Sequence, residues 1–219
     1  ATVRAVTPHD GMFAVLLDRT CFFPQEAGQS ADRGTIGGIR VENVLIRDGE
    51  LLHLTKEPPE VGALLSCVLD FDERYEKMQC HTAEHMVSGV IHTLFGLDNV
   101  GFHLGREDVT LDISGPLTRE DLDRVEDIVN RKVYENLPVL CEYPDRERLK
   151  TLDFRSKLDL TEHVRIVTIP GVDVCACCAP HVARTGEVGA VKLLDFEKHK
   201  GGVRIHMLAG RRALFDYRR

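Results

Sequence analysis

A chain of 219 residues that is 43% hydrophobic and 29% charged can bury one large core or two small ones. It holds no apolar run near the roughly 20 residues that a bilayer-spanning helix needs, and its opening, ATVRAVTPHDGMF, lacks the basic-then-apolar layout of a secretory signal, so a cytoplasmic protein is expected. A net charge of −7 excludes a surface uniformly suited to polyanions, and seven irregularly spaced cysteines exclude a disulfide framework.

Taken in chain order, the first seventy residues are strands joined by turns. MFAVLLD, TIGGIRVENVLIRD and ELLHLT are β-rich, Asp48-Gly49 signals a hairpin, and Pro58-Pro59 closes the series before LLSCVLDF. A small N-terminal β-barrel-like domain over residues 1–72 is the natural assembly of such strands. Near Asp72 the pattern becomes helical. ERYEKMQCHTAEHMVSGVIHTLFG carries Met78, His85 or Met86, Val90 and Leu94 at helical spacing and stops at Gly96, as a glycine-capped helix would. VGFHLGREDVTLDI alternates as a strand or hairpin. A second helix is signalled by a Thr118-x-x-Asp121 start and apolar Leu122, Val125, Val129 and Val133, and ends before Pro138. Strands return in PVLCEYP, HVRIVTIPG, GAVKLLDFEK and GVRIHMLAG. The expected fold is α+β: residues 73–219 form a second domain with an antiparallel sheet and two main helices.

Cys21, Cys67, Cys80 and Cys141 stand apart among apolar or mixed neighbours and read as small buried side chains. The charge is uneven. From Phe196 to Arg219 seven cations (Lys198, Lys200, Arg204, Arg211, Arg212, Arg218, Arg219) face Glu197 and Asp216, a local balance of +5. Such an end suits a protein that grips nucleic acid in one place, although a solvated basic tail has the same composition.

The chemistry concentrates in two short stretches. In HTAEH, His81 and His85 are four apart, which on a helix puts both imidazoles on one face within reach of one ion. Two nitrogens do not make a site, but CCAPH offers Cys177 and His181, again four apart, and zinc favours such a set of imidazole and thiolate ligands. Pro180 biases that half-site toward a loop. Cys175 and Cys178 are close enough in sequence to replace Cys177. H-x-x-E-H is also the signature of a class of zinc metallopeptidases in which the acid, here Glu84, is general base; that reading leaves the C-x-x-x-H and the basic end without a task. A metal-stabilised RNA-binding module without catalysis is the third reading.

Together, HTAEH and the later C-x-x-x-H resemble the AlaX family of free-standing alanyl-tRNA editing proteins and the related editing domain of alanyl-tRNA synthetase. FFPQEAGQSADRG, VGFHLGREDVTLDI, PGVDVCACCAPHV, RTGEVGAVKL and KGGVRIHMLAG each fall where the family has a counterpart, so the resemblance covers nearly the whole chain. Two stretches depart from it. The family usually has Cys-Gly-Gly-Thr-His where this chain has Cys177-Cys178-Ala179-Pro180-His181, and Gly-Gly-Gly-Gln where it has Glu26-Ala27-Gly28-Gln29. The resemblance implies hydrolysis of misacylated tRNA(Ala), with serine the expected amino acid and glycine the second, at a zinc ion held by His81, His85, Cys177 and His181. It brings Glu84 and His103 forward as catalytic candidates. It also implies that Gly28 and Gln29 bind substrate, with Asp32 setting their turn, and that Lys200, Gly201, Gly202, Arg204, Arg211 and Arg212 meet tRNA phosphates.

Overall fold

A computed structural model describes residues 1–156 and 163–218 of the chain, in two compact units, Ala1–Tyr75 and Glu76–Arg219. Arg219, counted above in the basic end, lies outside the described residues. No helix among the described residues is long and apolar enough to cross a membrane.

The first unit contains β1 (Val3–His9), β2 (Met12–Leu17), β3 (Gly34–Ile36), β4 (Ile39–Arg47), β5 (Glu50–Thr55) and β6 (Cys67–Leu69). They pair in the antiparallel order β1-β2-β5-β4-β3-β6. Val15, Ile36, Val41 and Val44 are fully buried with Phe22 in its core. Asp48 and Gly49, with φ of 53° and 80°, make the expected hairpin turn between β4 and β5. The run TIGGIRVENVLIRD is two strands, because Gly37 and Gly38 at φ of 58° and 86° reverse the chain where side-chain-bearing residues would be strained. β1, which contains Pro8, was not among the expected strands. It is an edge strand, where a missing N–H is tolerated. β1 and β6 are the two ends of this order, and residues 1–3 bond to residues 62–65 ahead of β6.

The second unit is built around α1 (Phe71–Phe95), whose residues up to Tyr75 are counted with the first. Gly96, with φ of 65°, ends it, its N–H donating to His92 O at 2.9 Å. From Cys80 to Ile91 every residue of α1 is buried, so the one-sided apolar spacing seen in the sequence describes only part of its surroundings. Next come β7 (Asn99–Leu104), β8 (Val109–Ile113), α2 (Arg119–Tyr134), β9 (Leu140–Glu142), α3 (Arg146–Thr151), β10 (Ile166–Ile169) and β11 (Asp173–Ala176). A 3₁₀ turn, Thr185–Val188, precedes β12 (Val191–His199), β13 (Gly202–Ala209) and α4 (Arg211–Asp216). The strands form two antiparallel sheets, β12-β13-β8-β7 and β11-β10-β9. The architecture is thus α+β with antiparallel sheets and two long helices, α1 and α2, as expected. α3, α4 and β11 were not anticipated, being only four to six residues long.

α2 presents Leu122, Val125, Val129 and Val133 as one buried stripe. Asn130 fastens it to β12, donating to Val191 O at 2.8 Å and accepting from Val191 N at 2.9 Å. Of the four cysteines expected inside, only Cys80 is buried; Cys67 is half-buried, while Cys21 and Cys141 are exposed. Cys141 sits on β9, an edge strand whose Leu140 is also exposed.

Thr118 caps α2 in the predicted way: Asp121 N–H donates to Thr118 Oγ1 at 3.2 Å, and Thr118 N–H donates to Asp121 Oδ2 at 2.8 Å. Thr118→Ala is expected to lower the stability of the chain by about 1 kcal/mol. An unshifted urea midpoint would contradict that.

Candidate metal centre

His81 and His85 stand one helical turn apart on α1, and Cys177 and His181 follow β11 on an irregular segment. Despite a separation of nearly a hundred residues, the four side chains each bring one ligand atom within 4.8 Å of the others. The imidazole centroids lie 5.6 Å (His81–His85), 5.0 Å (His81–His181) and 4.6 Å (His85–His181) apart, and Cys177 Sγ is 3.6 Å from His81 Nε2. The three histidines are buried and Cys177 is half-buried. His181 Nε2 is buried and has no hydrogen-bond partner among the described residues. A buried nitrogen left so costs about 1–3 kcal/mol unless something binds it.

Neighbouring groups hold the ligand segments. Arg165 closes around the Cys177–His181 stretch: its carbonyl accepts from Cys177 N at 3.0 Å, and its Nη1 donates to Cys177 O at 2.9 Å and Ala179 O at 2.8 Å. Thr82, between the two helical histidines, accepts from Val182 N at 3.2 Å and bonds His181 Nδ1 at 3.1 Å. Asp173 Oδ2 lies 3.0 Å from His85 Nδ1, and Arg155 donates to both Asp173 oxygens at 2.8 and 3.0 Å. Gly89, one turn beyond His85, permits this approach. A Cβ there would collide with Val172 O and come within 2.8 Å of Asp173 Cβ.

Electrostatics separate the histidines. Burial opposes charge on His85, yet the Asp173 carboxylate and Cys177 override it and hold the ring well above the ordinary histidine range. His181 moves well below that range, first by burial and then by the neighbouring His85 and His81. The Cys175 thiol is pushed up to about 11, chiefly by burial. Asp173 thus favours a proton on His85 Nδ1, while the His181 ring stays neutral and can offer a nitrogen to a cation.

Glu84, a candidate on sequence grounds, does not face solvent. It is buried, and its Oε1 accepts from Ser88 Oγ at 2.7 Å and from Asn99 Nδ2, while Asn99 Nδ2 also donates to Ser88 Oγ at 2.9 Å. Its Oε2 lies 3.9 Å from His85 Nε2. His103 is exposed on β7, and its neighbour Phe102 is the residue whose ring meets His81, at 4.7 Å. Strand alternation sends the two side chains to opposite faces.

The remaining candidates are dispersed. In the first unit Gly28 is exposed and Gln29 buried; Ala27 and Gly28 form a tight turn closed by paired main-chain bonds between Glu26 and Gln29. Asp32 accepts from Phe23 N at 2.7 Å and Arg74 Nε at 2.9 Å, so it braces this segment at its base. In the second unit exposed Lys200 and Gly201 turn the chain between β12 and β13, and Gly202 starts β13. Arg204 is engaged by Asp112 through bonds of 2.6 and 2.8 Å, and Arg212 by Glu76 at 2.7 Å. Arg211 is exposed, 5.1 Å from the Phe215 ring centroid. Sequence reasoning missed Thr82, Asn99, Phe102, Arg155, Arg165 and Asp173. Asp173 carried a signal, since positions 173, 175 and 177 share one side of an extended chain.

These features define a histidine–cysteine centre in an α+β domain. Residues 164–206 match the family model described as the threonyl and alanyl tRNA synthetase second additional domain. The alanyl-tRNA editing protein AlaX-L of Pyrococcus horikoshii is 37% identical over 210 residues, covering 91% of this chain and 52% of that protein. The alanyl-tRNA editing protein Aarsd1 of Mus musculus is 33% identical over 207 residues, 92% of this chain and 50% of its own length. Alanine–tRNA ligase of Halobacterium salinarum is 34% identical over 218 residues, 94% of this chain and 23% of the ligase. Over more than nine-tenths of its length the chain is thus similar to alanyl-tRNA editing proteins and to a region of alanine–tRNA ligase. It spans about half the length of the first two relatives.

Gly89→Ala is expected to lower stability by about 1–3 kcal/mol, because the backbone it would strike cannot rotate away as a side chain does. Wild-type stability of that variant in urea denaturation would show that β11 has room to retreat.

Proposed function

We propose that the chain hydrolyses the ester linking a wrong amino acid to tRNA(Ala), with Ser-tRNA(Ala) the preferred substrate and Gly-tRNA(Ala) the second, at a zinc ion held by His81, His85, Cys177 and His181. The convergence of two distant pairs of ligand residues, one of them with a buried, unpartnered nitrogen, carries this reading. The donor set fits zinc by its chemistry, three imidazoles and one thiol being ligands that ion favours. Relatives named as alanyl-tRNA editing proteins support the substrate class.

When bound, zinc supplies a Lewis acid that can polarise the ester carbonyl or lower the pKa of a water. The protein's own groups do the rest. Glu84 takes a proton from the attacking water through Oε2; in support, Ser88 and Asn99 already hold Oε1, which orients the carboxylate. Cys177 and Phe102 are half-buried, whereas His181 and Thr82 are buried, so access to the centre is by way of the first two. His103, on the other face of β7, takes no part in this chemistry. Editing of serine is the physically coherent task. A pocket that selects alanine by shape gains only ~1–3 kcal/mol against a similar amino acid, whereas a second site that hydrogen-bonds the serine hydroxyl rejects alanine by leaving its own polar groups unpaired.

Incubation with Ser-tRNA(Ala), Gly-tRNA(Ala) and Ala-tRNA(Ala) tests the reading: serine is released fastest and alanine is retained. His85→Ala should abolish release and lower the zinc content below one equivalent; full turnover by that variant would refute a metal-dependent reaction.

For tRNA contact, Lys200 and Arg211 are the cations with free reach, while Arg204 and Arg212 act as internal braces through Asp112 and Glu76. Lys200→Ala with Arg211→Ala should weaken tRNA binding and flatten its log–log salt dependence by about 1–2 units, with zinc content unchanged. An unaltered salt slope would remove both residues from the phosphate interface.

A further inference from the structure

A histidine ligand has two ring nitrogens, and the one it offers to a metal is set by what the other bonds. At His85 that choice is built in. A carboxylate can only accept, so Asp173 Oδ2, 3.0 Å from Nδ1, requires the proton to sit on Nδ1 and leaves Nε2 bare. The carboxylate is itself immobilised: Arg155 grips both of its oxygens, and the Asp173 and Arg155 side chains are only 2% and 15% exposed. Arg155 in turn is tied to β11 by its main chain, donating to Val174 O at 2.8 Å and accepting from Ala176 N at 2.9 Å. Gly89 is the notch in α1 through which this assembly reaches the ring. His181 is oriented differently, by the neutral hydroxyl of Thr82.

We propose that Asp173, braced by Arg155, is a positioning residue of the metal centre: it fixes the orientation and tautomer of His85 so that Nε2 is the atom offered to the cation. The inference rests on the reading that the cluster holds zinc. A plain structural ion pair between β11 and Arg155 is the competing account. The two differ in what they predict for metal affinity, because an ion pair that only braces the strand would leave the His85 ring indifferent to its loss.

The test compares wild type with D173A, D173N and R155K, using Zn²⁺ in competition with a chelating dye, the visible spectrum of the Co²⁺ form and the melting temperature of the metal-free protein. D173A should bind Zn²⁺ about 10- to 100-fold more weakly and show an altered Co²⁺ spectrum. D173N, whose amide oxygen can still accept from Nδ1–H, should lose less, and R155K less again. Zn²⁺ affinity and Co²⁺ spectra equal to wild type in all folded variants, with only the metal-free melting temperature lowered, would overturn the proposal in favour of the ion pair. Should D173A fail to fold, D173N and R155K decide by the same readouts. Absence of Zn²⁺ uptake by wild type would overturn the metal centre itself, a failure visible before any variant is compared.

Discussion

The close approach of α1 to the strand and loop over residues 172–182 is the constraint on which the second unit turns. A helix buried all round is usually apolar all round, yet α1 carries His81, Thr82, Glu84, His85 and Ser88 through its buried middle. Each polar group there costs free energy unless it is matched, and the matches come from particular distant atoms: Asp173 for His85, Val182 N for Thr82, Asn99 for Glu84 and Ser88. Such matching tolerates little displacement. Moving β11 outward by the breadth of a methyl group would lengthen the His85–Asp173 bond beyond useful range, which is why a glycine stands at position 89.

One group in this core has no match among the described residues. His181 Nε2 is buried beside two other imidazoles and a thiol, and burial with that neighbourhood keeps the ring neutral. A fold shaped by stability alone would place an apolar side chain there or supply a donor. The unmatched nitrogen is thus a local stability deficit that ligand binding converts into affinity. Around it Thr82, His85 and Glu84 are engaged by Val182, Asp173 and Asn99.

What the sequence reveals follows the range of the interactions involved. The ends of α1 and α2 were legible because a glycine stop and a Thr-x-x-Asp start act within one turn. The hairpin at Asp48-Gly49 was legible for the same reason. β1 went unread, and it contains Pro8, a residue that a strand tolerates only at an edge, which is a tertiary fact. The four ligand candidates could be read from spacing within each pair. Their braces could not: Arg155 is 18 residues from Asp173 and Asp173 is 88 from His85, and no local pattern marks those partners. The basic end misleads in the same way. Counted along the chain it is strongly positive, but Arg204 and Arg212 meet acids 92 and 136 positions away, leaving fewer cations free than the tally suggests.

The ligand loop shows how one geometry can be reached by a different local chemistry. Where the family resemblance would put two glycines between the cysteine and the histidine, this chain has Cys178 and Ala179 followed by Pro180, residues with less backbone freedom. Lost freedom is harmless if the required conformation is one the stiffer residues can adopt and something holds it. Arg165 does the holding, since its main-chain oxygen and one guanidinium nitrogen together engage the backbone of both Cys177 and Ala179. Loop shape is then set by a side chain just ahead of β10 and by a proline, and the entropy lost on ordering the loop is smaller because the unfolded segment was already restricted. The same arrangement makes the position of Cys177 depend on Arg165, a dependence that a glycine-rich loop, free to adjust its own backbone, would not have.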